Sequence, residues 1–546
     1  MPGGGELALV AYGNQNTTFN GNPEFTYFYK VFKRHTHFSQ ESITISLDGP
    51  NEMMLDTPVR VRAKIPRNAD LLTDLTFVFR VPDIYSKIHT VSVGETQVQR
   101  VPAFRWIHML GPLIIDNIGI YVGGTKVQEF PGEWIAARAA ADLSADQYAK
   151  WRTLVGDVPE LTEPEWGVYG HAANYPFQKG EYPNTVADPS GAATAPSLPG
   201  RTIRVPLPFW FSETVGRALP LVSLQLHEVE VQITLRTLRE LYRIMDSTFQ
   251  REPNRYGRTL VNDPTKPTSY DPATPATHDN LTYQNKYEAY DDPQGALRHF
   301  YTDAGQPVPV QDGFIMEAHL EGNYVYLTER EQAVFAAREL WSLVHQVQTF
   351  KFSNIVARKK LDLDAHGVTH RVLFYARRSD AIPFRNDFTN LSNWKSLGQA
   401  PYWPITGAPQ PNSGLLIAGS QRDILQSARM ICAGNELFEE KPADYYEVHT
   451  PYYTTTGGTN GLTAGSSVRP PDVFGPLYHM PFALHSSDHD QPSGSLNMSR
   501  LREIQLEVQT GPIDPDGPYT YDFTVFVESM NVVKYLNGMA GLAFAV

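Results

Sequence analysis

The sequence predicts an all-β protein made of two similar antiparallel sandwiches, and three observations carry that prediction. Apolar residues recur with a period of two: Ile43, Ile45 and Leu47, then Val59, Val61, Ala63 and Ile65 against Arg60, Arg62 and Lys64, then Leu75, Phe77, Phe79 and Val81. Such alternation describes strands with one face on a core and the other in water. The runs are short and punctuated by Pro, Gly, Asn and Asp, which suits antiparallel sandwiches better than βαβ units. Finally, patterns of the first half recur, in order, in the second.

The elements follow from the N-terminus. After the three alternating runs, Ser144 with Gln147 three residues on forms a capping box for a helix through Val155, and Leu143 is placed to staple against Tyr148. Thr328 with Glu331 forms a second box, opening a helix through about Leu340. Both follow strand patterns and read as excursions from a sheet. Three long stretches, 157–200, 252–313 and 450–475, are rich in Pro, Gly, Ala, Thr and Tyr without a sustained period. Loops of that length in compact domains are usually functional or disordered. The expected organisation is an N-terminal arm over 1–20, a first sandwich over 21–250, a linker or surface loop over 251–313, and a second sandwich over 314–546.

The repeat can be aligned. IYVGGTKVQEF from Ile120 pairs with MICAGNELFEE from Met430, matching Gly124 to Gly434, Val127 to Leu437 and Glu129 to Glu439 at an offset of 310. Pro208-Phe209 matches Pro481-Phe482 at 273, and Pro220, Ser223, Leu224 and Leu226 match Pro492, Ser495, Leu496 and Met498 at 272. The fall in offset means that the first half carries an extra loop, for which 157–200 is the candidate. Superposed halves should bring Gly124 onto Gly434 and Leu224 onto Leu496. Leu224 and Leu226 are apolar at even positions, whereas Val229, Val231, Ile233 and Leu235 are apolar at odd ones. That phase slip near His227-Glu228 predicts a bulge or a corner where the chain passes between sheets.

At 546 residues the chain exceeds what one core usually serves. Its 59 acidic and 46 basic residues give a formal charge of −13, the wrong sign for wrapping nucleic acid, so no direct nucleic-acid contact is expected. The basic clusters Lys30, Lys33, Arg34 and Arg358, Lys359, Lys360 read as solvated edges or loops. Cys432 is the single cysteine, which leaves no intrachain disulfide or cysteine zinc site and fits assembly in a reducing compartment. The start MPGGGELALVAYG lacks the order of a secretory signal, and no apolar run reaches the roughly 18 residues of a membrane span.

Chemistry-bearing patterns are sparse. His485, Asp488, His489 and Asp490 are the densest set of metal-ligand types, but HSSDHDQPSG reads as a polar turn before a strand. His35 and His37 share a strand face near Glu41 without a third ligand. Asp70, Asp74, Glu133, Glu228 and Glu439 are the acids a hydrolase would draw on, and their separations are not legible from sequence. There is no G-x-S-x-G elbow, P-loop or Rossmann glycine pattern, and Gly123-Gly124 suits a hairpin turn. No catalytic residue, cofactor or metal ligand is therefore assigned from the sequence.

Several segments carry a family resemblance. GNPEFTYFYKVFKRHTHFSQES (Gly21 to Ser42, with Asn22, Pro23, Arg34, His35 and Thr36), the run from Arg105 to Trp134 (with Trp106, Gly123 and Gly124), and LPFWFSETVGRALPLVSLQLHEV (Leu207 to Val229, with Pro208, Phe209, Pro220 and His227) resemble the major capsid proteins of nucleocytoplasmic large DNA viruses. So does QPSGSLNMSR, which supplies Gln491, Pro492, Ser493, Gly494, Asn497, Ser499 and Arg500, and the ending NVVKYLNGMAGLAFAV looks similar as well. Departures fall mainly in the long loops, with small substitutions such as Pro112 where many relatives carry histidine.

The resemblance implies two tandem eight-stranded antiparallel jelly-roll sandwiches with a few short helices and long loops. It also implies a non-enzymatic shell protein of the virion, assembled in the host cytoplasm. Three chains would form a pseudo-hexagonal capsomer contacting neighbouring capsomers and minor capsid and penton proteins, with the N-terminal arm near an internal membrane. The long loops would divide between an outer crown and an inter-subunit clasp. The alternative from another class is a carbohydrate-binding or carbohydrate-cleaving β-sandwich, since fold alone does not set function.

Overall fold

A computed structural model of the chain describes residues 3–86, 89–93, 96–100, 102–164, 182, 195–246, 258–262, 285–289, 297–302, 307–382, 386–394, 421–457, 474–513 and 519–544. Among the described residues, the two main sheets of the first half are built from β1 (Phe38–Ser46), β2 (Val59–Lys64), β3 (Leu71–Val81), β4 (Ile115–Val122), β5 (Thr125–Pro131), β6 (Arg201–Pro206), β7 (Val229–Leu235) and β8 (His319–Leu327). The second half repeats them as β9 (Leu340–Ile355), β10 (Arg358–Leu363), β11 (Val368–Arg378), β12 (Leu425–Cys432), β13 (Asn435–Pro442), β14 (Tyr478–Pro481), β15 (Ile504–Thr510) and β16 (Tyr521–Leu536).

Strand order makes the duplication explicit. One sheet of the first half runs β1-β8-β3-β6 and the facing sheet β2-β7-β4-β5; the second half runs β9-β16-β11-β14 and β10-β15-β12-β13, all pairs antiparallel. Each strand thus has its counterpart eight strands later, and the order is that of a jelly roll. In β2 the buried Val59, Val61 and Ala63 alternate with exposed Arg60, Arg62 and Lys64, as the period of two requires.

The boundary between the halves differs from the sequence expectation. The expected second sandwich over 314–546 includes His319–Leu327, yet this strand pairs with both β1 and β3 in the middle of a first-half sheet. A single alternating strand says nothing about which sheet will receive it, and sequence order alone groups it with the strands that follow. The halves meet instead at helix α5 (Glu329–Ala337), which ends before Leu340 because β9 begins there. Thr328 precedes that helix but makes no side-chain cap bond, and Glu331 accepts from Thr36 Oγ1 at 3.3 Å instead of completing a box. The other box forms: Ser144 and Gln147 cap α4 (Ala145–Leu154) reciprocally.

The internal alignment survives in part. Gly124 and Gly434 occupy equivalent two-residue turns, β4 to β5 and β12 to β13, with φ of +81° and +82°. Pro208 and Pro481 also correspond: counted from the bulge residues Thr73 and His370, Pro206 of β6 matches His479 of β14, which puts Pro208 against Pro481. Leu224 and Leu496 do not. Leu219-Pro220 bridges to β3 before a single 3-10 turn, Leu221–Ser223, while Leu496-Asn497 bridges to β11 before the turn Met498–Arg500. The counterpart of Leu496 is therefore Leu219, and Pro492 lies in the preceding loop. Leucine recurs in the first segment at 219, 221, 224 and 226, which allows a slip of five residues. The phase slip near His227 is a corner, as anticipated: Leu219-Pro220 belongs to one sheet and β7 to the other, and Leu226 between them is exposed.

Two cores result. The second is lined by Val372, Phe374 and Ala376 of β11 with Phe523, Val525 and Val527 of β16. The intervening residues Leu373, Tyr375 and Phe526 join the first-half core instead. The sheet β9-β16-β11-β14 is thus covered on both faces, and β11 is buried almost throughout. The long loops 157–200, 252–313 and 450–475 lie largely outside the described residues.

Candidate functional site: the seam between the sandwiches

What covers the outer face of the second half is helix α3 (Gly132–Asp142), GEWIAARAAAD, which directly follows β5. Its alanines let it lie close between two packed layers, and all of it from Gly132 to Ala141 is buried. Gly132 starts the helix where a Cβ would sit 2.0 Å from the Pro112 carbonyl and 2.3 Å from that of Ile115, so no side chain fits.

The polar residues of α3 meet charged partners on the facing strands. Asp142 receives a bidentate pair from Arg371 of β11 at 2.5 and 2.8 Å, and the same guanidinium gives its Nε to Glu528 of β16 at 2.7 Å. Trp134 Nε1 donates to the other oxygen of Glu528 at 2.9 Å. Glu133 takes Arg236 of the first half at 3.0 Å and Arg377 of the second at 3.2 Å, together with the Tyr375 hydroxyl. Arg138 and Arg217 both ion-pair with Glu213, at 2.7 and 2.9 Å. Backbone carbonyls close the rest: Gln128 donates to His345 O at 2.8 Å and Gln346 to Val127 O at 3.1 Å.

Burial opposes ionisation of these acids, but the guanidiniums outweigh it. Arg377 and Arg236 hold Glu133 well below the usual carboxylate range, and Arg371 does the same for Asp142 and Glu528. A buried network of this kind adds little net stability over an apolar replacement, yet it penalises every misaligned arrangement of the halves. Its effect is to fix their relative placement.

Three histidines sit at one end of the seam. His345 comes from β9, His489 from the loop between β14 and β15, and His370 from a bulge in β11, where Thr369 and Arg371 pair with consecutive residues of β16 and His370 is left over. The first half has its own bulge on β3, where Thr73 is left over between Leu72 and Asp74. The rings pack edge to face with centroids 4.7, 5.1 and 6.0 Å apart. Burial pushes His370 down to about 4 and His489 to about 3, so both are neutral near pH 7.

The sequence-predicted positions scatter. Of the metal-ligand set, His489 turns inward to Asp142 at 2.9 Å, His485 and Asp488 line a small cavity beside His345 and His370, and Asp488 caps a turn through the Asp490 and Gln491 amides. Reading the whole run as a polar turn therefore missed His489. Asp142 lies 347 residues upstream, and the neighbouring rings of His345 and His370 lie 144 and 119 residues upstream, with no local signal. His35 and His37 are exposed. The five flagged acids have structural partners: Glu133 as above, Asp70 with Leu327 N and Gln332, Asp74 with Asn323, Glu228 with Lys64 and Glu439 with Lys441.

The family-motif residues are mostly turn and packing positions. Gly123 has φ +57° and a Cβ there would meet the His227 ring at 2.6 Å; His227 Nδ1 in turn accepts from Ala540 N at 3.2 Å. Trp106 and Phe209 are core residues, and Pro220 is buried in its bridge. Arg138 donates to Pro208 O at 3.3 Å. In the loop Gln491–Gly494, Ser493 Oγ accepts from His485 N at 2.9 Å; Ser499 Oγ accepts from Gly367 N at 2.8 Å, Asn497 pairs opposite Val368, and Arg500 ends the 3-10 turn. Gly21, Asn22, Pro23, Arg34, His35 and Thr36 belong to an exposed N-terminal segment that also carries two short helices, α1 (Gly4–Val10) and α2 (Asn14–Asn20). That segment leaves Phe19, Tyr27, Phe28 and Phe32 more than 80% exposed. Apolar side chains exposed within one segment are available for contacts outside the chain.

Comparison with known proteins completes the picture. Residues 26–268 match the family model described as major capsid protein N-terminus, and residues 329–541 match large eukaryotic DNA virus major capsid protein. The major capsid protein of Phaeocystis pouchetii virus is 25% identical over 99% of both chains, and that of Chrysochromulina ericina virus 23% identical over the whole of both. Among solved structures, PBCV-1 VP54 fitted into a reconstruction of the virophage Sputnik superposes with a TM-score of 0.60 at 18% identity, covering 95% of this chain and all of that one. With both halves matched in order and the doubled jelly roll in place, the chain belongs to the major capsid proteins of large eukaryotic DNA viruses.

Proposed function

We propose that three copies of this capsid protein associate into a pseudo-hexagonal capsomer, and that such capsomers tile the facets of an icosahedral virion shell. The observation that carries the reading is the doubled sandwich with identical strand order in both halves, joined through a buried charged seam. A seam of that kind makes one chain a fixed pair of similar lobes, so threefold closure presents six. Lateral faces then bury surface between neighbouring capsomers, and minor capsid and penton proteins fill the remaining junctions.

The exposed aromatic side chains of the N-terminal segment supply a contact for those partners or for an internal membrane. The role is one of binding, without turnover and without direct nucleic-acid contact, in keeping with the charge of −13. The lone reduced cysteine suits assembly in the host cytoplasm. Light scattering and negative-stain microscopy of the purified chain test this. Compact three-chain particles with a six-lobed outline are expected. A strictly monomeric species at high concentration, coupled with glycan turnover, would favour the carbohydrate-active alternative and overturn the proposal.

A further inference from the structure

We propose that His345, His370 and His489 form a binding site for a first-row divalent transition ion, with zinc as the reference case, set in the seam between the two sandwiches. Each of the three offers a ring nitrogen, and these atoms all lie within 4.8 Å of one another. A tetrahedral ion bound at about 2.0–2.1 Å spaces its nitrogen ligands about 3.3 Å apart, so the ion would draw the rings together by at most about 1.5 Å. All three residues are buried, and imidazole is the ligand that borderline-soft divalent ions favour.

The surroundings have the form of a metal site's outer shell. Each imidazole turns one nitrogen toward its own carboxylate: His489 Nε2 to Asp142 at 2.9 Å, His370 Nε2 to Glu528 at 3.3 Å and His345 Nδ1 to Glu213 at 3.5 Å. A carboxylate hydrogen-bonded to imidazole, as Asp142 is to His489, orients a metal-binding ring and fixes its tautomer. Of these three contacts the one at His489 is a hydrogen bond; His345 Nδ1, both ring nitrogens of His370 and His489 Nδ1 are buried without a hydrogen-bond partner, so each ring has a nitrogen open to an ion. Leaving such groups unsatisfied is costly, and an ion would satisfy them together.

A fourth position is also at hand. His345 and His370 border a cavity of about 10 Å³, which His485 and Asp488 line as well. That is room for about one water, so a water there would complete the coordination from the side of His345 and His370. Three histidines with one solvent position is a known zinc arrangement. The site ties β9, the β11 bulge and the loop before β15 to α3 and the Trp210–Glu213 helix through the carboxylates, so occupancy would lock the two sandwiches together. Binding to the folded state alone raises stability by mass action.

The test uses the full chain in its native assembly, stripped with a chelator and titrated with cobalt(II) and then zinc. The proposal expects one equivalent per chain, intense visible cobalt bands of four-coordinate nitrogen and oxygen ligation, their loss when zinc displaces cobalt, and a higher melting temperature for the loaded protein. His489→Ala should weaken uptake roughly a hundredfold or more, while His37→Ala in the exposed segment leaves it unchanged. Should His489→Ala misfold by circular dichroism, zinc X-ray absorption on the wild type decides, with a nitrogen and oxygen shell showing imidazole scattering expected. Absence of stoichiometric uptake, weak bands of six-coordinate cobalt, or uptake indifferent to His489 would overturn the site and leave a bridging water in its place. None of these outcomes bears on shell assembly, so this site and the capsomer reading fail separately.

Discussion

Arg371 is the residue on which the seam can be tested most sharply. Its guanidinium is fully buried, bound twice to Asp142 and once to Glu528, and joins a first-half helix to a second-half sheet. Arg371→Met keeps the volume and removes the charge, leaving two buried carboxylates to their remaining partners. Hydrogen bonds to charged groups are worth about 1.5–3 kcal/mol each, but Asp142 keeps His489, and Glu528 keeps Trp134. Removing one member of a buried ion pair typically costs about 3–5 kcal/mol, and about 4 kcal/mol is the value expected here. For a cooperative unit of 150–250 residues that is roughly 8–16 °C in Tm. Adding Glu528→Gln removes one stranded charge and should restore part of the loss. Scanning calorimetry reads both. A shift of less than about 1 kcal/mol for Arg371→Met would mean that the apolar faces alone hold the halves, and the seam argument would fall.

Other expectations follow from the same geometry. Glu133 has its folded pKa depressed by Arg377 and Arg236, so its contribution is present above the unfolded value of about 4.3 and is lost as pH falls below it. Melting temperatures measured from pH 3 to pH 6 should drop at the acid end, and Glu133→Gln should flatten that slope. Gly123→Ala meets both a left-handed backbone and the His227 ring, costing at least about 1–2 kcal/mol from the backbone alone, more than the same change at Gly434, where the space is open. A chain cut after Gly313 loses β8 from the middle of its sheet and should fail to fold, while one cut after Arg338 retains β1 through β8; far-UV circular dichroism and thermal melting distinguish the two.

How much of this was legible in the sequence depended on how local each signal was. Val59 to Ile65 announced a half-buried strand because alternation is a property of neighbours, and Gly123-Gly124 announced a turn because left-handed backbone demands it. The duplication showed through Gly124 and Gly434 for the same reason. By contrast, β8 looks like any alternating strand, and only its hydrogen bonds to β1 and β3 assign it to the first half. The run VTHRVLFYARR gave no warning that one face of β11 packs its own core and the other packs a neighbouring domain. His370 is legible as a histidine but not as a bulge, and the seam's charges were dispersed from Glu133 to Glu528 with nothing in their spacing to join them.

The central claim, that one chain is a fixed pair of lobes from which a three-chain shell unit is made, is met most directly by a density map of the purified assembly. The account predicts three chains about one axis, six lobes of similar outline, and Arg371 enclosed between Asp142 and Glu528 within each chain. A map of single chains, or of chains whose two sandwiches take variable relative positions, would contradict it.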